Sequence, residues 1–351
     1  MKRIRNMRKK NRGQRIAAVI LACCLLGTGL LSACGKNSVG SRAGEKKQEE
    51  VQQKDSFKIV TSFYPLYIMM MNLTEGIPGV EIANMAEPGT GCLHDYQLRP
   101  GDLVEMDGAD LFVANGGGME NFLADVMAAY SDLPVVYALD GADPDALIRG
   151  EGHEHAHGHT HETGEDEAAQ TEESLPEEAE TEEVNPHTWL DGELYQEELG
   201  YLAEQLGNLD GGHREQYIAN AKEYAAQIDR LLEEGEAARE NGRKPGCVLL
   251  HESFVYLAED WGYPVLATVD VEKDSGFSAK EIRTLVDEVE KAGECIIISD
   301  SQYSGRIAGL LSEETGMKTI KLDACVSGEY HKDAWLNSMR KNLEELNNAA
   351  D

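Results

Sequence analysis

The chain has 351 residues and a formal net charge of −32, because 64 acidic residues outnumber 32 Lys and Arg. This excess of negative charge argues against binding to nucleic acids or to anionic lipid head groups, which repel an acidic surface. It favours a cationic ligand, or serves solubility alone.

The first 33 residues have the pattern of a secretory signal. A basic segment precedes the apolar run IAAVILACCLLGTGLLSAC, which is short for a membrane span. The run ends in LSAC, which resembles the lipobox of bacterial lipoproteins, so we expect cleavage before Cys34 and lipidation of this cysteine. An uncleaved N-terminal anchor is the alternative. The polar stretch 34–55 is then a flexible tether that holds an exported domain at the outer face of the cytoplasmic membrane.

Apolar runs alternate with helical patterns in the next part of the chain. Strands are predicted at 57–63, 80–86, 109–116 and 133–139, and helices at 64–75, 98–106 and 119–129. This βαβα order predicts a parallel sheet covered by helices.

The alternation stops at Gly141, and a very different segment follows. Residues 151–183 contain five histidines and thirteen acids, but no Lys or Arg. With almost nothing apolar to bury, this composition predicts a disordered, solvated insertion. Its histidines are candidates for weak accessory metal binding, with a passive loop as the alternative. They are His153, His155, His157, His159 and His161.

One long helix is predicted over 211–241, because apolar residues recur there at steps of three and four. Its apolar face consists of Tyr217, Ala221, Tyr224, Ile228 and Leu231. A second alternation follows. Strands are predicted at 246–253, 263–270, 295–300 and 318–324, and helices at 254–261, 278–292, 302–315 and 333–346. Ser278 and Glu281 have the spacing of a capping box.

These patterns predict an α/β protein with two parallel-sheet lobes joined by one long rigid helix. The predicted boundaries are 1–33 for the signal peptide, 34–55 for the lipidated cysteine and tether, 56–210 for the first lobe with its insertion at 151–184, 211–243 for the linking helix and 244–351 for the second lobe.

Four side chains at the predicted strand ends and loops suit a metal ion, since ligands of parallel α/β sheets bind at the carboxyl ends of strands. His94 follows the second strand and His187 lies near the end of the first lobe, while His251 and Asp323 lie at the carboxyl ends of the fifth and the last strand. Three imidazoles and one carboxylate match tetrahedral Zn²⁺, whereas more oxygen ligands would move the preference towards Mn²⁺. Each residue also has a plainer interpretation as a loop, cap, turn or buried hydrogen-bonded residue. Asp191 is placed to cap a helix or to orient His187.

The cysteines outside the signal divide into two pairs. Cys247 and Cys295 lie in apolar runs and are expected to be buried. Cys92 and Cys325 lie in polar loops, where they could pair in an oxidising compartment or remain separate thiols.

Longer segments resemble the zinc/manganese-type solute-binding lipoproteins of bacterial ABC importers. The resemblance rests on EPGTGCLHDYQLRPGDLVEMDGADLFVANGGGMENFL, NPHTWLDGELY, HREQYIANAKEYAAQIDRL and HESFVYLAEDWGY, and it extends from Phe57 nearly to the C-terminus. It implies that His94, His187 and His251 are metal ligands and that Asp323 lies at about the position of a variable fourth ligand. It also implies that the metal binds in the cleft between two lobes joined by a rigid helix.

The resemblance implies a function as well. The protein would capture Zn²⁺ outside the cytoplasm and deliver it to a membrane permease driven by an ATPase, without catalysing a reaction. The histidine-rich insertion and the third histidine favour zinc, with manganese import as the alternative. Two other classes are a zinc-dependent hydrolase, with Glu252 as a base, and a surface adhesin or metal buffer that uses the histidine tract. We expect a monomer anchored in the membrane through lipid on Cys34.

Overall fold

The computed structural model describes residues 56–87, 90–91, 93–94, 96–149, 184–239, 244–269, 271, 278–303 and 305–350. The predicted signal peptide, tether and lipidation site, the five-histidine tract and Cys92 lie outside these residues. Within the described ranges, no helix combines the length and the apolar character needed to cross a membrane.

The first lobe is built on a four-stranded parallel sheet. Its strands are β1 (Phe57–Thr61), β2 (Val80–Asn84), β3 (Leu111–Ala114) and β4 (Val135–Tyr137), connected by helices α1 (Tyr64–Leu73), α2 (Pro100–Glu105) and α3 (Leu123–Ala129). The order across the sheet is β2-β1-β3-β4, and every neighbouring pair is parallel. The predicted βαβα order is therefore confirmed. The strands are shorter than predicted, because apolar residues beyond them are buried in bends or turns outside the sheet, as Met85 and Ala86 are after β2 and Ala138 is after β4.

Two long helices follow the insertion and pack against each other: α4 (Gly192–Leu209) and α5 (Arg214–Arg239). Helix α5 confirms the predicted long helix, and all five residues of its predicted apolar face are buried. Helix α4 was not predicted. It begins at Asp191, whose carboxylate accepts hydrogen bonds from the backbone N–H groups of Glu193 and Leu194.

The second lobe repeats the plan of the first. Its strands are β5 (Gly246–Leu249), β6 (Val265–Thr268), β7 (Cys295–Asp300) and β8 (Lys318–Leu322), with helices α6 (Val255–Asp260), α7 (Ala279–Ala292), α8 (Arg306–Thr315) and α9 (Ala334–Ala350). The order is β6-β5-β7-β8, again parallel throughout. Ser278 and Glu281 form the predicted capping box at the start of α7.

The largest hydrophobic core of the described residues extends through both lobes, and a separate buried cluster lies between the second sheet and helices α7 and α8. A continuous cluster of buried side chains runs from the first sheet through α4 and α5 to the second sheet and α9. Trp189 lies inside it, donates from Nε1 to the carbonyl of Ala324 at 2.8 Å and accepts from Trp335 Nε1 at 2.9 Å through its own carbonyl. Helix α5 also packs against α1 and α9. It is therefore a core element for both lobes and more than a link between them.

The described cysteines are buried free thiols at positions 247, 295 and 325. The burial of Cys247 and Cys295 predicted from their apolar runs is confirmed, and each lies in a strand of the second sheet. Cys325 is held in the loop after β8, where its backbone N–H donates to Asp323 at 2.8 Å.

Candidate metal centre

Two histidines and one carboxylate from both lobes converge in a single cluster. One potential ligand atom from each of His94, His187 and Glu252 can be chosen so that all three lie within 4.8 Å of one another. His94 Nε2 is 3.6 Å from Glu252 Oε1, and His187 Nδ1 is 3.9 Å from the same oxygen. His94 Nε2 is buried without a hydrogen-bond partner. Because buried polar atoms are nearly always satisfied in folded proteins, this nitrogen fits a metal ligand.

His187 is fully buried and is held in its uncharged form. The pKa of His187 lies well below its usual value of 6.5, mainly because the ring is buried. The neighbouring His251 and His94 lower this pKa further. The ring centroid of His187 is 5.1 Å from that of His94 and 5.4 Å from that of His251. Neutral imidazole is the form that donates a lone pair to a metal, so the environment suits a ligand.

His251 lies beside the cluster, but its described hydrogen bond is that of a helix cap. It ends the loop after β5, and its Nδ1 accepts a hydrogen bond from the backbone N–H of Ser253 at 3.0 Å. Because a backbone N–H can only donate, Nδ1 is the acceptor and the proton of the neutral ring is on Nε2. The ring must therefore rearrange before Nε2 can bind a metal.

Asp323 lies directly after β8, as predicted, but outside the three-residue cluster. Its Oδ1 accepts from the backbone of Cys325 at 2.8 Å and its Oδ2 from the Ser338 hydroxyl at 2.7 Å. Both oxygens thus stabilise the loop and its contact with α9.

Asp300 lies at the end of β7. Burial is the main cause that raises its pKa to about 6; Asp323 raises the pKa further, while His251 lowers it.

One loop of the first lobe supports both clustered histidines. In the segment after β3, Asn115 Nδ2 donates to the carbonyl of Pro186 at 2.9 Å, and Asn121 Nδ2 donates to the carbonyl of His94. The buried Glu120 accepts from the Ser62 hydroxyl at 2.8 Å and from the Asn115 backbone at 2.6 Å. This network fixes the backbone on either side of the cluster.

The sequence reasoning gave Glu252 only the role of a possible base and overlooked Asn185 and Asp300. Asp300 could have been found by the rule that identified Asp323, since it ends a predicted strand. Glu252 directly follows His251 and gave no separate signal. Asn185 directly precedes Pro186 and His187 in the sequence, but its role depends on contacts with the other lobe.

The model of the protein family described as zinc-uptake complex component A, periplasmic (ZnuA), matches residues 59–349. The chain belongs to this family. Members of this family are components of a transport system. Membership of the chain in this family confirms the resemblance identified in the sequence. The five-histidine tract lies within the matched range but outside the described residues.

The chain is also similar to two curated proteins and to one solved structure. The zinc-binding protein AdcA of Streptococcus pyogenes is 28% identical over 312 residues, which cover 86% of this chain and 58% of AdcA, so the chain spans little more than half of that protein. The high-affinity zinc uptake system protein ZnuA of Bacillus subtilis is 26% identical, and the alignment covers 93% of this chain and 95% of that protein. A crystal structure of ZnuA matches with a TM-score of 0.65 at 22% identity, over 85% of this chain and 100% of the other. The structural match confirms the two-lobed fold.

Proposed function

We propose that this protein captures Zn²⁺ outside the cytoplasm and delivers it to the permease and ATPase of an ABC-type importer. The convergence of His94, His187 and Glu252 from both lobes carries the proposal. Membership of a zinc-uptake family supports it, as do relatives described as zinc-binding and zinc-uptake proteins. Zn²⁺ is the cargo, and the protein has no catalytic part in its transport.

The ligand set follows from the geometry of the cluster. Zn²⁺ accepts imidazole nitrogen and carboxylate oxygen in a tetrahedral shell, so His94, His187 and Glu252 offer three positions. His251 supplies the fourth through Nε2 once Nδ1 has given up the hydrogen bond from Ser253 and carries the ring proton instead. Asp323 is the competing carboxylate from the sequence, and both of its oxygens already accept hydrogen bonds, from the loop backbone and from Ser338.

Zinc titration of chelator-stripped protein tests the proposal. We expect about one tightly bound Zn²⁺ per chain, and loss of this binding when His94, His187 and His251 are all replaced by alanine. Alanine at His213 and His331 is the matched control, because both lie outside the cluster, His213 beside Asp210 and His331 beside Asp333. Tight binding that survives the triple replacement would show that the site is elsewhere.

Two conservative variants separate the candidate carboxylates. Glu252→Gln should weaken Zn²⁺ binding at least tenfold, because the amide is a poor substitute for a charged oxygen ligand. Asp323→Asn should act mainly on stability through the loop after β8. The opposite pattern would make Asp323 the ligand.

Manganese is the alternative cargo within the same function. Sites of nitrogen and oxygen ligands generally bind Zn²⁺ more tightly than Mn²⁺, so competition in solution is expected to favour zinc whatever the protein carries in the cell. Uptake of each metal by cells with and without the gene therefore decides the cargo. Manganese uptake that depends on the gene, with zinc uptake unchanged, would contradict the zinc assignment.

We also propose that lipid on Cys34 anchors the protein at the outer face of the cytoplasmic membrane. The LSAC sequence at the end of the signal supports this. Expression with a labelled fatty acid should label the wild-type protein and leave the Cys34→Ser variant unlabelled. Membrane retention of an unlabelled wild-type chain would contradict the lipid anchor.

A further inference from the structure

Asn185 contacts His187, Glu252 and the chain on both sides of the insertion. It is buried, with 9% of its surface exposed, and lies two residues before His187. Its Oδ1 accepts the backbone N–H of His187 at 3.0 Å, and its Nδ2 donates to the carbonyl of Glu252 at 3.1 Å. A backbone N–H can only donate and a carbonyl can only accept, so these two bonds fix the orientation of the amide.

The fixed amide decides which nitrogen of His187 carries the proton. His187 Nδ1 lies 2.8 Å from the same Oδ1, which is an acceptor. Nδ1 must therefore be the donor, and the neutral ring keeps an unprotonated Nε2 that can donate its lone pair to a metal. His251 has the opposite arrangement, because its Nδ1 accepts from Ser253.

The same residue joins the two lobes next to the metal centre. Its carbonyl accepts the Tyr256 hydroxyl at 2.8 Å, and that hydroxyl accepts the backbone N–H of Ile148 at 3.0 Å. Asn185 N–H in turn donates to the Ile148 carbonyl at 2.9 Å. Asn185 thus holds His187 of the first lobe against Glu252 of the second.

We propose that Asn185 is a positioning residue for metal binding: it presents His187 through Nε2 and keeps Glu252 beside it. The inference rests on the proposed zinc-binding function. Partners that orient a ligating histidine typically change metal affinity by about 10- to 100-fold when they are removed.

Variants at Asn185 test this role. Asn185→Ala removes both side-chain bonds and should weaken Zn²⁺ binding about 10- to 100-fold. It should also alter the visible absorption spectrum of the Co²⁺-substituted protein, which reports the geometry around the metal. Asn185→Asp keeps an acceptor for His187 but loses the donor to Glu252. It should retain the wild-type Co²⁺ spectrum with an intermediate affinity.

Asn72→Ala is the matched control. Asn72 is also buried, and its Nδ2 donates to the carbonyl of Lys332 in the second lobe without touching the candidate ligands. We expect this variant to lose stability and to keep wild-type Zn²⁺ affinity. An equal loss of affinity in Asn72→Ala would mean that Asn185 acts only through general stability, and would overturn the positioning role.

The wild-type protein provides a test that does not depend on folding of a variant. Long-range proton–nitrogen NMR correlation of the metal-free protein should show His187 protonated at Nδ1 and unprotonated at Nε2. The reverse tautomer would overturn the proposal. If Asn185→Ala keeps the wild-type Zn²⁺ affinity and Co²⁺ spectrum, the positioning role is overturned and the proposed transport function stands. If the wild-type chain binds no zinc, the proposed function itself is overturned.

Discussion

Glu198 of helix α4 gives the sharpest prediction for stability. Its side chain is buried with 1% of the residue exposed, and neither carboxyl oxygen makes a hydrogen bond of normal geometry. Burial raises its pKa from 4.5 to about 8, and nearby Asp191 and Glu197 add to the rise, while Thr188 lies close enough to oppose it. Glu198 is therefore a neutral acid in the folded protein at pH 7.

The shifted pKa predicts that stability falls as the pH rises. Between pH 4.5 and about 8 the folded chain holds a proton that the unfolded chain has released, so the free energy of unfolding decreases through this window and levels off above it. One unit of pKa shift corresponds to about 1.4 kcal/mol, which sets an upper limit of about 5 kcal/mol for the whole window. The measured effect is expected to be smaller, because partial opening of the helix would admit water.

Urea unfolding of the metal-free protein at pH 5, 7 and 9 measures this effect. Glu198→Gln should match the wild type at pH 5 and exceed its stability at pH 9, since the amide cannot ionise. Glu198→Met should be more stable at every pH, because it also removes the unsatisfied polar group. Glu204→Gln, on the exposed surface of the same helix, is the control and should follow the wild-type curve. Parallel curves for the wild type and Glu198→Gln would refute the reasoning.

Three further predictions address the insertion, the core and the linking helix. Replacing 151–183 with a short linker should leave one tight Zn²⁺ site with unchanged affinity, because the flanking chain segments already pair as a β-bridge. Loss of tight binding would instead favour the hypothesis that the protein is a metal buffer. Trp189→Phe should lower the free energy of unfolding by about 2–3 kcal/mol through a lost hydrogen bond and a cavity, as measured by urea unfolding; a change under 0.5 kcal/mol would contradict its place in the shared core. Gly235→Ala should destabilise by about 1–3 kcal/mol, because its Cβ would lie 1.9 Å from the Trp261 ring. Gly200→Ala is the control, because a Cβ at this position would have no described neighbour within 4 Å beyond its own helix backbone. This variant should raise the free energy of unfolding by about 0.5–1 kcal/mol through helix propensity. Equal effects at the two glycines would contradict the packing argument.

The sequence predicted most of the fold because local patterns carried it. Alternating apolar runs and helical spacing gave both four-stranded sheets, and the spacing of buried residues gave α5. Asp191 was expected to cap a helix or to orient His187, and it does cap α4, but the length of this helix was not predicted because its polar start follows directly on the NPHTWL segment. Its buried Glu198 also weakens the apolar periodicity on which such predictions rest.

The candidate site was predicted in its parts, while its assembly depends on the fold. The sequence indicated His94, His187 and His251 as ligands by their residue type and by family resemblance, and this remains a prediction. It gave no means of seeing that Glu252 lies between the first two, because the side chains that meet there come from segments more than 60 residues apart.

The sequence by itself determined the class of this protein: its composition, strand and helix order and histidine-bearing segments were sufficient for a two-lobed α/β protein of a zinc-uptake family. Only the tertiary structure decided how the site is presented. The proton position on His187 depends on the Asn185 amide, and that amide is oriented by the Glu252 carbonyl of the other lobe. Residue type is a local property, but the direction of a hydrogen bond depends on both partners, and these meet only after the chain has folded.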